Sequence, residues 1–172
     1  MARGYDGATM RAVAAKAGVD VSAVSYHFGS KGGLFAAVAV QAIGPTAVLR
    51  AALDGDPARL AERLVVLVTR AWEAPDTGPL LVDLVHAAMA DATLMGTLCD
   101  FLEHEVVAPL IDRWGDAPAA RDQATAVLTM LVGVVFGRYV MGLPALSGQA
   151  AHRYRWAVAA PMRGLVSARR PR

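Results

Sequence analysis

Apolar residues recur three and four positions apart along nearly the whole chain, and no stretch shows the two-residue alternation of a half-buried strand. Proline and glycine punctuate this pattern at Gly44-Pro45, Asp54-Gly55-Asp56-Pro57, Pro75-Asp76-Thr77-Gly78-Pro79, Gly115-Asp116-Ala117-Pro118 and Pro144. The intervals between them predict helices. Two short ones lie within residues 9–28, and a third runs from Lys31 to about Ile43. A longer one is capped by Asp56 with Pro57 at its first position, and its stripe of Leu60, Leu64, Leu67 and Ala71 is the expected buried face. Further helices are expected over about 79–90, over 93–114 with a kink at Pro109, over 118–142, and over 147–167 with a kink at Pro161. The Arg169-Arg170-Pro171-Arg172 tail is expected to fray. The fold class is therefore all-α.

The segment over residues 9–28 carries the most specific local chemistry. Thr9 is placed to cap a helix whose Met10, Val13, Ala14 and Ala17 form one apolar face. Gly18 can take the left-handed conformation that stops it, Val19 is expected to plug the corner, and Asp20 caps the next helix. In that second helix Val24 and Phe28 share the inner side. Ser22, Ala23, Ser25 and Tyr26 lie opposite, with His27 near the boundary. A helix whose outer face is small and hydrogen-bonding fits the major groove of DNA, where donors, acceptors and methyl groups distinguish the base pairs. A short helical hairpin packed into a core would show the same spacing.

The residues themselves decide between these readings. Gly4-Tyr5-Asp6-Gly7-Ala8-Thr9-Met10-Arg11-Ala12-Val13-Ala14, then Ala17-Gly18-Val19-Asp20, then Val24-Ser25-Tyr26-His27-Phe28-Gly29-Ser30-Lys31, resemble the signature of TetR-family transcriptional regulators in order and spacing. More loosely, residues 64–79 and 101–110 are similar to one carboxy-terminal subfamily. The resemblance implies a helix-turn-helix DNA-binding domain over 1–44 and a larger helical-bundle ligand-binding and dimerisation domain over 45–172. It also implies a homodimer on a pseudo-palindromic operator and release by a small molecule. Carried over by position, Arg11 contacts a base edge or phosphate. Val21, Ser22, Ala23 and Ser25 face the groove, Tyr26 and Lys31 reach phosphates, and His27 either packs or contacts a phosphate. Val21 and Ala23 offer apolar contact alone, as to a thymine methyl.

Two departures stand out. The family carries a helix before the Gly-Tyr turn, whereas only Met1, Ala2 and Arg3 precede Gly4, so either the sequence starts late or the domain is incomplete. The first is expected. Gly32 and Gly33 fall in the first turn of the next helix, where each costs roughly 1 kcal/mol relative to alanine.

Composition changes this picture little. Hydrophobic residues make up 55% of the 172, which fits a face shared with a second subunit. The run Val127, Leu128, Leu131, Val132, Val135 and Phe136 is the expected seat of that face. The uncharged apolar run over 124–137 is too short for a bilayer, no signal peptide is expected, and Cys99 excludes an internal disulfide. No membrane partner is expected, and the reading is cytoplasmic. The formal charge of +2 arises entirely before residue 45, where Arg3, Arg11, Lys16 and Lys31 outnumber Asp6 and Asp20.

Enzyme chemistry is not expected. His104-Glu105 lacks the second histidine of a zinc-binding HExxH, no nucleophile or phosphate-loop motif occurs, and no cofactor is called for. His86 and Cys99 lie in apolar stretches and are expected in the core. The bulky groups available to line a pocket for an unidentified apolar or aromatic ligand are Trp72, His86, Met89, Phe101, Met130 and Tyr139. A helical interaction protein with an incompetent DNA domain, and a small helical enzyme using His86, His104 or Cys99, are the competing readings.

Overall fold

The computed structural model describes residues 7–43, 46–115 and 118–167, and among these there is no strand. Helices α1 (Met10–Ala17), α2 (Val21–Phe28), α3 (Lys31–Ile43) and α4 (Thr46–Asp54) come first. A 3-10 turn, Pro57–Arg59, then leads into α5 (Leu60–Glu73), which α6 (Gly78–Ala90) follows. α7 (Ala92–Leu102) passes through a π-turn, Glu103–Val107, into α8 (Ala108–Trp114). α9 (Pro118–Val135) likewise ends in a π-turn, Phe136–Val140, before the short α10 (Pro144–Ser147) and α11 (Ala151–Ser167). Gly4, Tyr5 and Asp6, the Gly44-Pro45 and Asp116-Ala117 breaks, and the arginine tail lie outside the described residues.

Local chemistry sets the boundaries. Asp56 accepts from the Ala58 N–H at 3.0 Å, with Pro57 next in line, and Asp91 caps α7 by accepting from Thr93 at 2.8 Å and Leu94 at 3.1 Å. The break expected at Pro109 takes the form of the π-turn just before it. Proline has no N–H to give, and its ring crowds the preceding turn, so the helix widens there. At the other end of the chain, α11 starts at Ala151 rather than near Ser147, because Pro144–Ser147 forms a separate turn. α11 then runs through Pro161, which is exposed.

The main core joins Leu53 of α4 and Leu60, Ala61, Leu64 and Val65 of α5 to Leu110, Ala124, Val127, Leu131, Ala159 and Met162. The buried faces of two helices differ from those expected. On α5 the fully buried positions are Leu60, Ala61, Leu64, Val65 and Thr69, while Leu67 and Ala71 are half-buried. The face is rotated because α5 packs against α11 as well as α4, α6 and α9. On α9, Val127 and Leu131 belong to this chain's own core, whereas Val132 and Phe136 face outwards. With its π-turn this helix spans 23 residues and is long and apolar enough to cross a bilayer, yet Ala120, Ala124, Val127, Leu131 and Val134 bury one side of it in protein. His86 and Cys99, expected inside, are exposed: their neighbours in sequence are apolar, but their own helix positions point outwards.

A buried guanidinium ties the distal end of the bundle together. The π-turn aims Arg138 inward, where it is 9% exposed. It donates to the carbonyls of Leu146 and, at 3.2 Å, Gln149, pairs with Glu73 at 3.5 Å, and lies 4.4 Å from the ring centroid of Tyr154. Glu73 also accepts from the Tyr139 hydroxyl at 3.1 Å and pairs with Arg155, which donates from Nε to Thr69 at 2.7 Å. Burial, then the Glu73 charge and hydrogen bond, push the Tyr139 hydroxyl up to about 12, so it stays a neutral donor.

Arg138→Ala should cost about 2–4 kcal/mol, the sum of its charge-assisted carbonyl bonds and its ring contact. Glu73→Gln should cost about 1 kcal/mol or less, because Glu73 is partly solvated. Urea unfolding midpoints in the reverse order would contradict this account.

Candidate nucleic-acid interface

α1 and α2 are built from caps that the sequence spells out. Thr9 accepts from the Ala12 N–H at 3.2 Å, and Gly18 closes α1 at φ 70°, a left-handed conformation that costs glycine nothing. Asp20 accepts from both the backbone N–H (2.7 Å) and the hydroxyl (2.5 Å) of Ser22. Those two bonds hold its carboxyl below the usual carboxylate range. The two helices pack on each other, and Ala14 and Val24 are their buried residues.

The second helix presents its outer face as expected. Ser22, Ala23, Ser25, Tyr26 and His27 are exposed, Tyr26 at 86%, and Val21 is half-buried. Tyr26 and His27 stand edge to face at 5.4 Å. Arg11 is exposed on α1, and Lys31 is half-buried at the first position of α3. The eight residues singled out from the sequence therefore lie on three consecutive helices, with α2 at the centre. Two neighbours depart from expectation. Val19 is 49% exposed rather than plugging the corner, where its N–H donates to the Ala14 carbonyl, and Phe28 is 39% exposed. An open, mainly apolar groove lined by Gly7, Ala8, Ala12, Val13, Lys16 and Ala17 runs along α1.

α3 carries this unit. It packs on α2 at one end and on α6 and α7 along its length. Phe35 lies against a second small core of Leu84, Ala88 and Leu94, while Val38 is half-exposed. Sequence reasoning saw Gly33 as a cost to the helix and missed its use. A Cβ there would sit 2.1 Å from the Phe28 carbonyl oxygen, so α3 can approach the end of α2 this closely only with glycine.

A model for bacterial regulatory proteins of the tetR family matches residues 1–38, and one for the carboxy-terminal domain of tetracyclin repressor-like proteins matches residues 58–166. The chain belongs to the TetR family. A solved TetR-family regulator from Streptomyces coelicolor A3 has a TM-score of 0.68 to it, with 25% identity, covering 96% of this chain and 87% of that one. No curated protein matches by sequence. As a TetR-family member the chain is a DNA-binding transcriptional regulator rather than an enzyme. Among the described residues no three His, Cys, Asp or Glu side chains gather to hold a metal.

The residues considered for a TetR-type ligand pocket differ in their settings. Trp72 and Tyr139 stack at 5.7 Å, Met130 packs on the main core and Phe101 is half-buried. His86 and Met89 stand exposed on α6.

Gly33→Ala should lower the thermal midpoint, although alanine is the better helix former by about 1 kcal/mol, because the methyl group collides with the Phe28 carbonyl. A raised midpoint in a calorimetric scan would show that the close approach is not required.

Proposed function

We propose that this regulator is a homodimeric repressor that binds a pseudo-palindromic operator and leaves it when a small apolar molecule enters the carboxy-terminal helices. The observation that carries the DNA contact is the exposed outer face of α2, with Arg11 before it and Lys31 after it. In this reading Ser22, Ala23, Ser25 and part of Val21 meet base edges, while Tyr26, His27 and Lys31 meet phosphates. The DNA-binding unit ends near Gly44, with α3 shared between it and the rest. A DNA-binding role places the protein in the cytoplasm.

The dimer is supported by apolar groups left outside. Val132 (46% exposed), Phe136, Met141, Leu143 and Trp156 (69%) lie on α9, its π-turn, the loop after it and α11. Two such helices from each subunit would form a four-helix interface about a two-fold axis. Ligand release would run through α3, because it touches the recognition helix and also α6 and α7. Trp72, Phe101, Met130 and Tyr139 would line the ligand site, and exposed His86 and Met89 would stand outside it. Whatever the ligand, it can weaken DNA binding only by favouring one spacing of the recognition helices over the other.

The test is titration of the duplex immediately upstream of the protein's own gene at several salt concentrations. Binding should weaken with salt, and Lys31→Ala should weaken it for every sequence alike while flattening the log–log salt slope by about one unit. A Lys31→Ala protein with changed base preference would refute its phosphate role, and salt-independent or undetectable binding to any duplex would refute the reading as a whole.

A further inference from the structure

The amino-terminal half of α2 holds few hydrogen-bonding groups for DNA. In a helix-turn-helix those are the positions that meet base edges. Asp20 directs its carboxylate at its own helix, taking both the N–H and the hydroxyl of Ser22. The Ser22 proton is therefore committed to the cap. What remains in this turn is Ala23, exposed, and Val21, half-buried, and both end in methyl groups. No Arg, Lys, Asn or Gln occurs anywhere in Val21–Phe28, and those are the side chains that read guanine or adenine through paired hydrogen bonds. Ser25, Tyr26 and His27 come later in the helix, and Arg11 sits on α1, which in this motif crosses the backbone. The major-groove feature that a methyl surface recognises is the C5-methyl group of thymine.

We infer that Ala23, flanked by Val21, reads the C5-methyl of a thymine in each operator half-site, so that base choice at that position rests on apolar contact. This deepens the DNA-binding reading above and rests on it.

The probe is a duplex enriched by the wild-type protein from a random-sequence pool, in which each thymine is then replaced by uracil, one symmetric pair at a time. Uracil keeps every hydrogen-bonding group and removes the methyl alone. One pair should stand out, with binding weakened roughly fourfold for one half-site and about fifteenfold for both, as burial of one methyl at about 0.8 kcal/mol implies. The protein is unaltered throughout, so no folding defect can imitate the loss. Ala23→Gly should bind the thymine and uracil duplexes alike at that pair, whatever its overall affinity. Equal binding of thymine and uracil at every position by the wild type would overturn the inference while leaving DNA binding intact. A pool from which nothing is enriched would overturn both.

Discussion

The placement of the recognition helix depends on α3 being held on both sides. At its start, Gly33 lets the backbone come so close to the Phe28 carbonyl that any side chain would collide. Two residues later, Phe35 is seated against Leu84, Ala88 and Leu94 of the larger bundle. α2 contributes a single buried residue of its own, Val24. A helix of eight residues with one buried anchor has little independent stability, so its orientation is inherited from α3. That inheritance is what would let a change among α6 and α7 reach DNA.

Rigidity in the rest of the chain has a different origin. Apolar packing gathers α4, α5, α8, α9 and α11 around Leu64, Val127 and Met162, and directed polar contacts then fix their register. Arg63 and Arg113 cap the end of α4 by donating to the Ala52 and Leu53 carbonyls at 2.7 and 3.2 Å. Arg138 does the equivalent at the far end, where the π-turn re-aims a charged residue that follows the uncharged run over 123–137. The ligand release proposed above needs movement to be transmitted rather than absorbed, and a bundle with fixed register suits that need.

Features within four or five residues of one another were legible from the sequence. The Thr9 and Asp20 caps, the Gly18 stop and the outer face of α2 are local hydrogen-bonding and periodicity, and they appear as expected. Features created by distant contacts were not. Arg138 meets Glu73 across 65 residues, and nothing in the sequence near either one announces it. The rotated face of α5 reflects neighbours on several sides. α9 is apolar around most of its circumference, so its periodicity could not tell Val127 and Leu131, which serve this chain's core, from Val132 and Phe136, which face out. His86 and Cys99 show the same limit in reverse. The exposure of His86 and Met89, and the stacking of Trp72 on Tyr139, have one cause too: bulk and polarity nominate pocket residues, but the packing of helices decides which are brought together.

The central claim is that two recognition helices are presented together, at a spacing that matches one or more turns of DNA. Spin labels at Ser22→Cys in a Cys99→Ala background would measure that spacing by pulsed dipolar spectroscopy. One dominant separation of about 34–36 Å or more is expected, the distance between half-sites one or more helical turns apart. Absence of any dipolar coupling, or a separation well short of one helical turn, would contradict it.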